Sequence, residues 1–138
     1  MEIRELEPGD EELLARLDFD EEPGRPLAPE DAARFLADER THLWVAFDGE
    51  DPVGMLLAYE LPHRHDDPTL VHVYELGVAA SHQRRGIATA LWRELTARLP
   101  GREVYVLAEE SNAQGRAFYE SLGLAEPAAR VVEYDGRL

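Results

Sequence analysis

Residues 71–88 read Val71-His72-Val73-Tyr74-Glu75-Leu76-Gly77-Val78-Ala79-Ala80-Ser81-His82-Gln83-Arg84-Arg85-Gly86-Ile87-Ala88. Val71–Val78 has the β-branched and aromatic content of a strand. After it, Ile87, Leu91, Leu95 and Leu99 recur at i, i+4 spacing and stop at Pro100-Gly101. That pattern predicts a central amphipathic helix over Gly86–Leu99. A strand that turns into a helix through a polar, glycine-containing turn makes an anion site. The first helical amides lack internal partners, and the helix dipole adds positive character. Gly86 would let the backbone approach a pyrophosphate closely, and Arg84 and Arg85 add charge. The competing reading is an ordinary loop with two solvated arginines, so the surroundings must decide.

Upstream, Met1–Leu6 is a candidate strand. Asp10 is placed to cap a short helix whose Leu13, Leu14 and Leu17 form one apolar face. Asp18–Leu27 reads as a loop, and Pro29 suits the first turn of a second helix with Ala32, Phe35 and Leu36 inward. Leu43–Phe47 and Val53–Tyr59 are apolar runs joined through Asp48-Gly49-Glu50-Asp51, a hairpin signal. Downstream, Val104–Leu107 reads as a short buried strand and Asn112–Leu122 as a helix ended by Gly123. Leu124–Glu126 and Val131–Tyr134 are candidate final strands. The order predicts one α/β (α+β) domain over 1–138, a mixed sheet covered by helices.

A chain of 138 residues with 44% hydrophobic content suits one packed domain and is short for two. No apolar run approaches membrane-span length, and the acidic start Met1–Glu12 lacks a signal core, so a cytoplasmic protein is expected. The absence of cysteine excludes disulfides, thiolate metal sites and a catalytic thiol. The net charge is -15, and residues 1–70 carry 20 acids against six arginines. Such a field repels nucleic acid and anionic membrane and attracts cations. It fits a cationic small-molecule substrate, and equally a merely solvated acidic surface. His63-Arg64-His65-Asp66-Asp67 lacks the spacing of a metal site and reads as a surface loop, so no metal is expected.

The turn Gln83–Ala88 resembles the acetyl-coenzyme A signature of the GNAT N-acetyltransferases, with Leu76-Gly77-Val78 as the strand end that precedes it. A second GNAT signature matches Asn112-Ala113-Gln114-Gly115-Arg116-Ala117-Phe118-Tyr119-Glu120-Ser121-Leu122-Gly123, with Gly115 in place of Ala. Ala58–Pro62, Val73–Val78, Arg85–Leu91 and Val131–Asp135 further resemble the small aminoglycoside 3-N-acetyltransferases of that superfamily. Glu75 stands where that group has Asp, and Glu110 where it has an aromatic. The resemblance implies a mostly antiparallel sheet of six to seven strands covered by about four helices. It implies acetyl-CoA as cofactor and transfer of the acetyl group to an amine. The acceptor would be an aminoglycoside first, a polyamine or protein N-terminus next. A catalytically silent acyl-CoA-binding module is the rival of another class.

Residue by residue, the resemblance assigns the pyrophosphate to the amides of Arg84, Arg85, Gly86, Ile87, Ala88 and Thr89, with Gln83 also cofactor-binding. The pantetheine arm goes to Leu76, Gly77 and Val78, with the Val78 N–H as oxyanion donor. Asn112 would bind the cofactor, and Tyr119 would protonate the departing sulfur. Glu75 is the expected base for the acceptor amine. Strand alternation sets Glu75 opposite Leu76 and Val78, and a bulge would change that parity and bring in His72. Tyr74, Glu109, Glu110, Asp20, Glu21, Glu22 and Asp135 are candidates to line the acceptor site. Dimers are common among similar enzymes, so a homodimer is among the expected states.

Overall fold

The computed structural model describes residues 1–17, 26–64 and 68–138, so Asp20, Glu21 and Glu22 lie outside the described residues. The chain forms two compact units, Met1–Val106 and Leu107–Leu138.

The first unit is built on a sheet of five strands in the order β1-β2-β3-β4-β5. They are β1 (Glu2–Glu5), β2 (Thr41–Asp48), β3 (Asp51–Leu61), β4 (Leu70–Val78) and β5 (Val104–Val106). Pairing is antiparallel from β1 to β4, and β5 joins β4 in parallel. The hairpin between β2 and β3 turns on Gly49 and Glu50, with Gly49 at φ 63. A positive φ at the first central position is what a two-residue hairpin turn needs to match strand twist.

Alternation along β2 and β3 separates two cores. Leu43, Val45, Phe47 and Leu57 form one cluster with Leu6. Leu13, Leu14 and Leu17 of the α1 segment (α1, Glu11–Arg16) pack against it, as do Phe35 and Leu36 of α2 (Pro29–Ala37). Pro29 opens α2 in the first turn, as its missing N–H allows. On the opposite face, Trp44, Ala46, Leu56 and Ala58 are buried on the side of α3 (Ile87–Arg98). Gly54 shows how closely α3 lies: a Cβ there would come within 2.9 Å of Ile87 Cγ2 and 3.3 Å of the Gly77 carbonyl. Ile87, Leu91, Leu95 and Leu99 are all buried, as their spacing predicts. A cavity of about 90 Å³ between α3, β4 and β5, lined in part by Val71, Trp92 and Leu99, is too small for an organic substrate.

Asp10 precedes α1 but does not cap it with its side chain. Its carboxylate instead accepts both Arg4 guanidinium nitrogens at 2.8 Å, and this bidentate bond, against an opposing cost of burial, holds its pKa below the ordinary range. A bidentate guanidinium offers more than a cap would.

The one buried polar residue among those described is His42, 2% exposed. Its Nδ1 lies 2.6 Å from Glu5 Oε1 and its Nε2 2.8 Å from Glu60 Oε2. Both partners are acceptors, an arrangement that an imidazolium satisfies with its two N–H groups. The ring stacks on Trp44. Thr69 donates to the other Glu60 oxygen at 2.6 Å. Burial opposes ionisation of Glu60, but the hydrogen bonds from Thr69 and His42 outweigh it and lower its pKa. The cluster thereby ties β1, β2 and β3 together.

The second unit holds one helix, α4 (Ala113–Ser121), a turn at Leu122-Gly123 and a tail without regular secondary structure. Leu124–Glu126 and Val131–Tyr134 form no strand, so the described sheet has five strands rather than six to seven. Their apolar content matches a strand, but a strand exists only when its backbone groups are laddered. Val131, Val132 and Tyr134 are exposed.

Replacing His42 with Leu leaves two carboxylates without their shared donor and should lower unfolding free energy by about 3 kcal/mol in urea titrations. Because the Glu60 pKa is depressed, its contribution is complete above the ordinary carboxylate value of 4.5 and is lost as pH falls through the lower folded value. Glu60→Gln should therefore flatten the acid limb of the stability curve, measured by denaturation midpoints below about pH 5.

Candidate active site

The turn after β4 has the backbone of an anion cradle. Ala80–His82 forms one 3-10 turn, Arg84 sits at φ 63 and Gly86 at φ 80. A non-glycine residue at positive φ is uncommon and stores backbone strain. The first α3 hydrogen bond runs from the Ala90 N–H to the Gly86 carbonyl at 3.0 Å, and no side chain caps the helix. The amides of Ile87, Ala88 and Thr89 precede that bond and have no intrahelical acceptor. Gln83, Arg84, Arg85 and Gly86 are exposed beside them. Nothing lies within 4 Å of a Cβ built on Gly86, which leaves room for a phosphate against the main chain. The turn is braced by His82, whose Nε2 meets Asp48 Oδ2 at 3.1 Å and whose Nδ1 meets Ser81 Oγ at 2.8 Å. Sequence alone pointed to Asp48 only as a hairpin residue.

β4 leads into this cradle with one edge open. Its ladder to β3 runs from Leu70 to Val78, but its ladder to β5 ends at Val73 paired with Val106. The Ala79 N–H donates to the Val53 carbonyl on β3 at 2.9 Å. A trans peptide sets C=O and N–H in opposite directions, so the Val78 carbonyl points away from β3. Gln83 Nε2 donates to it at 3.1 Å. By alternation the main-chain groups of Leu76 share that outer edge, and Gly77 turns to β3. Extended pantetheine has the amides to pair with such an edge, as an added strand does.

β4 also carries a bulge. Leu57 pairs with Glu75 and Ala58 with Val73, which leaves Tyr74 as the extra residue. Leu76 and Val78 pair with Leu56 and Gly54 and so share the α3 face. Val73, paired with Ala58, shares it too. Tyr74 and Glu75 therefore both turn to the opposite face, as adjacent residues in a bulge can. The expected orientation of Glu75 holds. The bulge adds Tyr74 beside it, where simple alternation had set the two apart.

Glu75 stands in an aromatic setting. Tyr59 and Tyr74 meet edge to face at 5.7 Å, and His72 meets Tyr74 in the same way at 5.8 Å. His72 stacks on Tyr105 at 4.4 Å. Burial raises the Tyr59 pKa, and the Glu75 charge adds to it. Tyr59 and Tyr105 were not singled out from sequence. The hairpin register that sets Tyr59 opposite His72, and alternation within Val104-Tyr105-Val106, were the available signals.

The second unit carries the other expected residues. Asn112 precedes α4 and its Oδ1 accepts the Gly115 N–H at 2.9 Å. Gly115 has a reason: a Cβ there would lie 2.6 Å from Asn112 Nδ2 and displace the capping side chain. Tyr119 is half-buried, and burial raises its pKa. Glu109 accepts from Ser111, and the Glu110 carbonyl accepts from Arg116, which also pairs with Glu126 at 2.7 Å. Asp135 lies exposed in the tail. No group of metal-ligating side chains occurs among the described residues. No helix among them is long and apolar enough to cross a membrane.

Gly86→Ala should isolate the cradle. With no neighbour to clash, the methyl costs only the backbone strain of its positive φ, about 1 kcal/mol. Calorimetric titration with coenzyme A should show at least a tenfold weaker Kd, while thermal denaturation moves by a few degrees only.

No curated protein matches the chain. Among solved structures, an aminoglycoside acetyltransferase from an uncultured soil metagenomic sample is 27% identical, with TM-score 0.84, covering 99% of this chain and 97% of its own. A second aminoglycoside acetyltransferase from such a sample, in complex with sisomicin, is 23% identical with TM-score 0.86, covering 99% and 95%. The aminoglycoside acetyltransferase AAC(6')-Iy, in complex with a bisubstrate analog, is 21% identical with TM-score 0.77, covering 99% and 98%. The last two likenesses bear on the fold. The family model of the acetyltransferase (GNAT) family matches residues 7–124, from just after β1 through α4, and the chain belongs to that family.

Proposed function

We propose that this protein is an acetyl-CoA-dependent N-acetyltransferase whose acceptor is a polycationic amine, the 3-amino group of an aminoglycoside first. The observation that carries this reading is the division of β4. Its open edge and the bare amides of α3 serve the donor, while Glu75 faces the other side of the sheet. The 27% identity over the whole chain with an aminoglycoside acetyltransferase supports the acceptor class, as does the net charge of -15. The family match crosses the boundary between the two compact units, so both are read as one catalytic domain, in a cytoplasmic enzyme of antibiotic-resistance type.

The residues fit the cofactor. Ile87, Ala88 and Thr89 amides with Arg84 and Arg85 would hold the pyrophosphate. The outer edge of Leu76 and Val78 would hold the pantetheine arm, and Asn112 would add a polar contact. Acetyl-CoA supplies a thioester carbonyl to be attacked. The Val78 N–H would donate a hydrogen bond to the charge developing on that oxygen. Glu75 would take the proton of the acceptor ammonium, directly or through a water. Tyr119 would give its proton to the leaving sulfur; a phenol is protonated at neutral pH, and burial raises the Tyr119 pKa further. Glu109, Glu110 and Asp135 are proposed to add negative charge to the acceptor site, with Asp20, Glu21 and Glu22 of the acidic N-terminal half. A polyamine or a protein N-terminus is the alternative acceptor.

Thiol release from acetyl-CoA with a panel of amines tests the reading. Turnover with peptides but with neither aminoglycosides nor polyamines would sink the cationic acceptor. Binding of coenzyme A without turnover on any amine would mark an acyl-CoA-binding module. Tyr119→Phe should lower kcat at least tenfold with coenzyme A affinity nearly intact. Glu75→Gln should lower the rate most at low pH, where free amine is scarce, and an unchanged pH–rate profile would remove Glu75 as base.

A further inference from the structure

We infer that Tyr74 and the His72–Tyr105 stack form an aromatic wall that selects a ring-bearing amine over a linear one at the Glu75 face. This rests on the acceptor site proposed above and names what that site recognises.

Three elements build the wall. The bulge in β4 puts Tyr74 on the same face as Glu75, and Tyr74 remains 60% exposed. Tyr105 comes from β5, where the parallel register pairs it with His72, and it is 38% exposed. The two rings of that stack lie at 13° to each other, and Tyr74 stands at 85° to His72 and 71° to Tyr59. Tyr59 backs Tyr74 from β3. The result is a corner of π-surface, still open to solvent, beside a carboxylate.

Exposed rings that lie together rather than singly mark an interaction site, and Tyr74 and Tyr105 are both exposed here. The charge of its surroundings narrows the choice. A carboxylate in a strongly acidic chain excludes an anion and favours an ammonium. An ammonium is also attracted to the faces of aromatic rings. A pyranose or aminocyclitol adds a face of C–H bonds that lies flat against a ring, whereas a flexible polyamine has no such face. It would also pay the entropy of ordering its rotatable bonds. His72 is held by its stack, which gives it the role of a wall element rather than of a base.

The test uses thiol release with neamine and with spermidine, for wild type, Tyr74→Ala, Tyr105→Ala and Tyr74→Phe. Both alanine variants should raise KM for neamine about tenfold more than KM for spermidine, and Tyr74→Phe should stay within about twofold of wild type. Equal changes for the two amines, or none, would overturn the wall. If wild type releases no thiol with either amine, acetyl transfer to these acceptors falls. Calorimetric titration of neamine into the coenzyme A-loaded protein then judges the wall alone. A tenfold loss of affinity in Tyr74→Ala would support it, and an unchanged affinity or no binding to wild type would overturn it.

Discussion

The parting of β4 from β5 after Val73 is the constraint on which the site depends. A strand edge with unpaired N–H and C=O groups must be hydrated, paired or covered. In most sheets such an edge is a hazard at the margin. Here it lies inside the sheet order, between two strands that are laddered for only three pairs. The opening is kept by what holds β4 elsewhere. Its ladder to β3 continues to Val78, and the bare glycine at position 54 lets α3 rest against the same stretch. Strand edge and helix terminus are thereby fixed to one another, and in the proposed reading an elongated anion with amide groups would meet both in one pose.

The rigidity behind this arrangement comes from two unlike sources. The α3 face is apolar and closely packed, with Leu56, Ile87 and Leu91 nearly inaccessible to solvent. At the other end of the sheet, Glu5, His42 and Glu60 bridge three strands with short charged hydrogen bonds. A charged cluster is a poor source of net stability compared with apolar packing, because desolvation offsets most of its attraction. Its geometry is specific, however, and it resists a slip in strand register that would break both bonds at once.

Much of this was legible in the residues. The helix after the cradle announced itself through Ile87, Leu91, Leu95 and Leu99, because apolar periodicity is local information. The hairpin at Gly49 was legible for the same reason. The face of Glu75 followed from alternation, and the companionship of Tyr74 did not, because a bulge is decided by the partner strand. Asp10 looked like a cap, but the Arg4 guanidinium lies within reach only once β1 and α1 are folded together. His42 gave no warning as a buried residue, since its two glutamates come from strands 37 and 18 residues away in sequence. The tail residues Val131–Tyr134 have strand composition without a ladder, and composition cannot supply a neighbour. Gly115 stands in place of the signature's alanine, and the Asn112 side chain occupies the space a methyl would fill, a contact that only the folded cap reveals.

The bulge at Tyr74 has a meaning for how such a protein can change. Without that residue, Val73 and Glu75 would still pair with Ala58 and Leu57, and every core side chain would keep its face. Tyr74 is thus an insertion to which the hydrophobic core is blind. Gain or loss of one residue here alters only the surface beside Glu75, leaving the cradle for the donor untouched. With the acceptor on the Glu75 face as proposed, a lineage would trade one acceptor for another by a single-codon length change, a step that elsewhere in the strand would turn the sheet inside out.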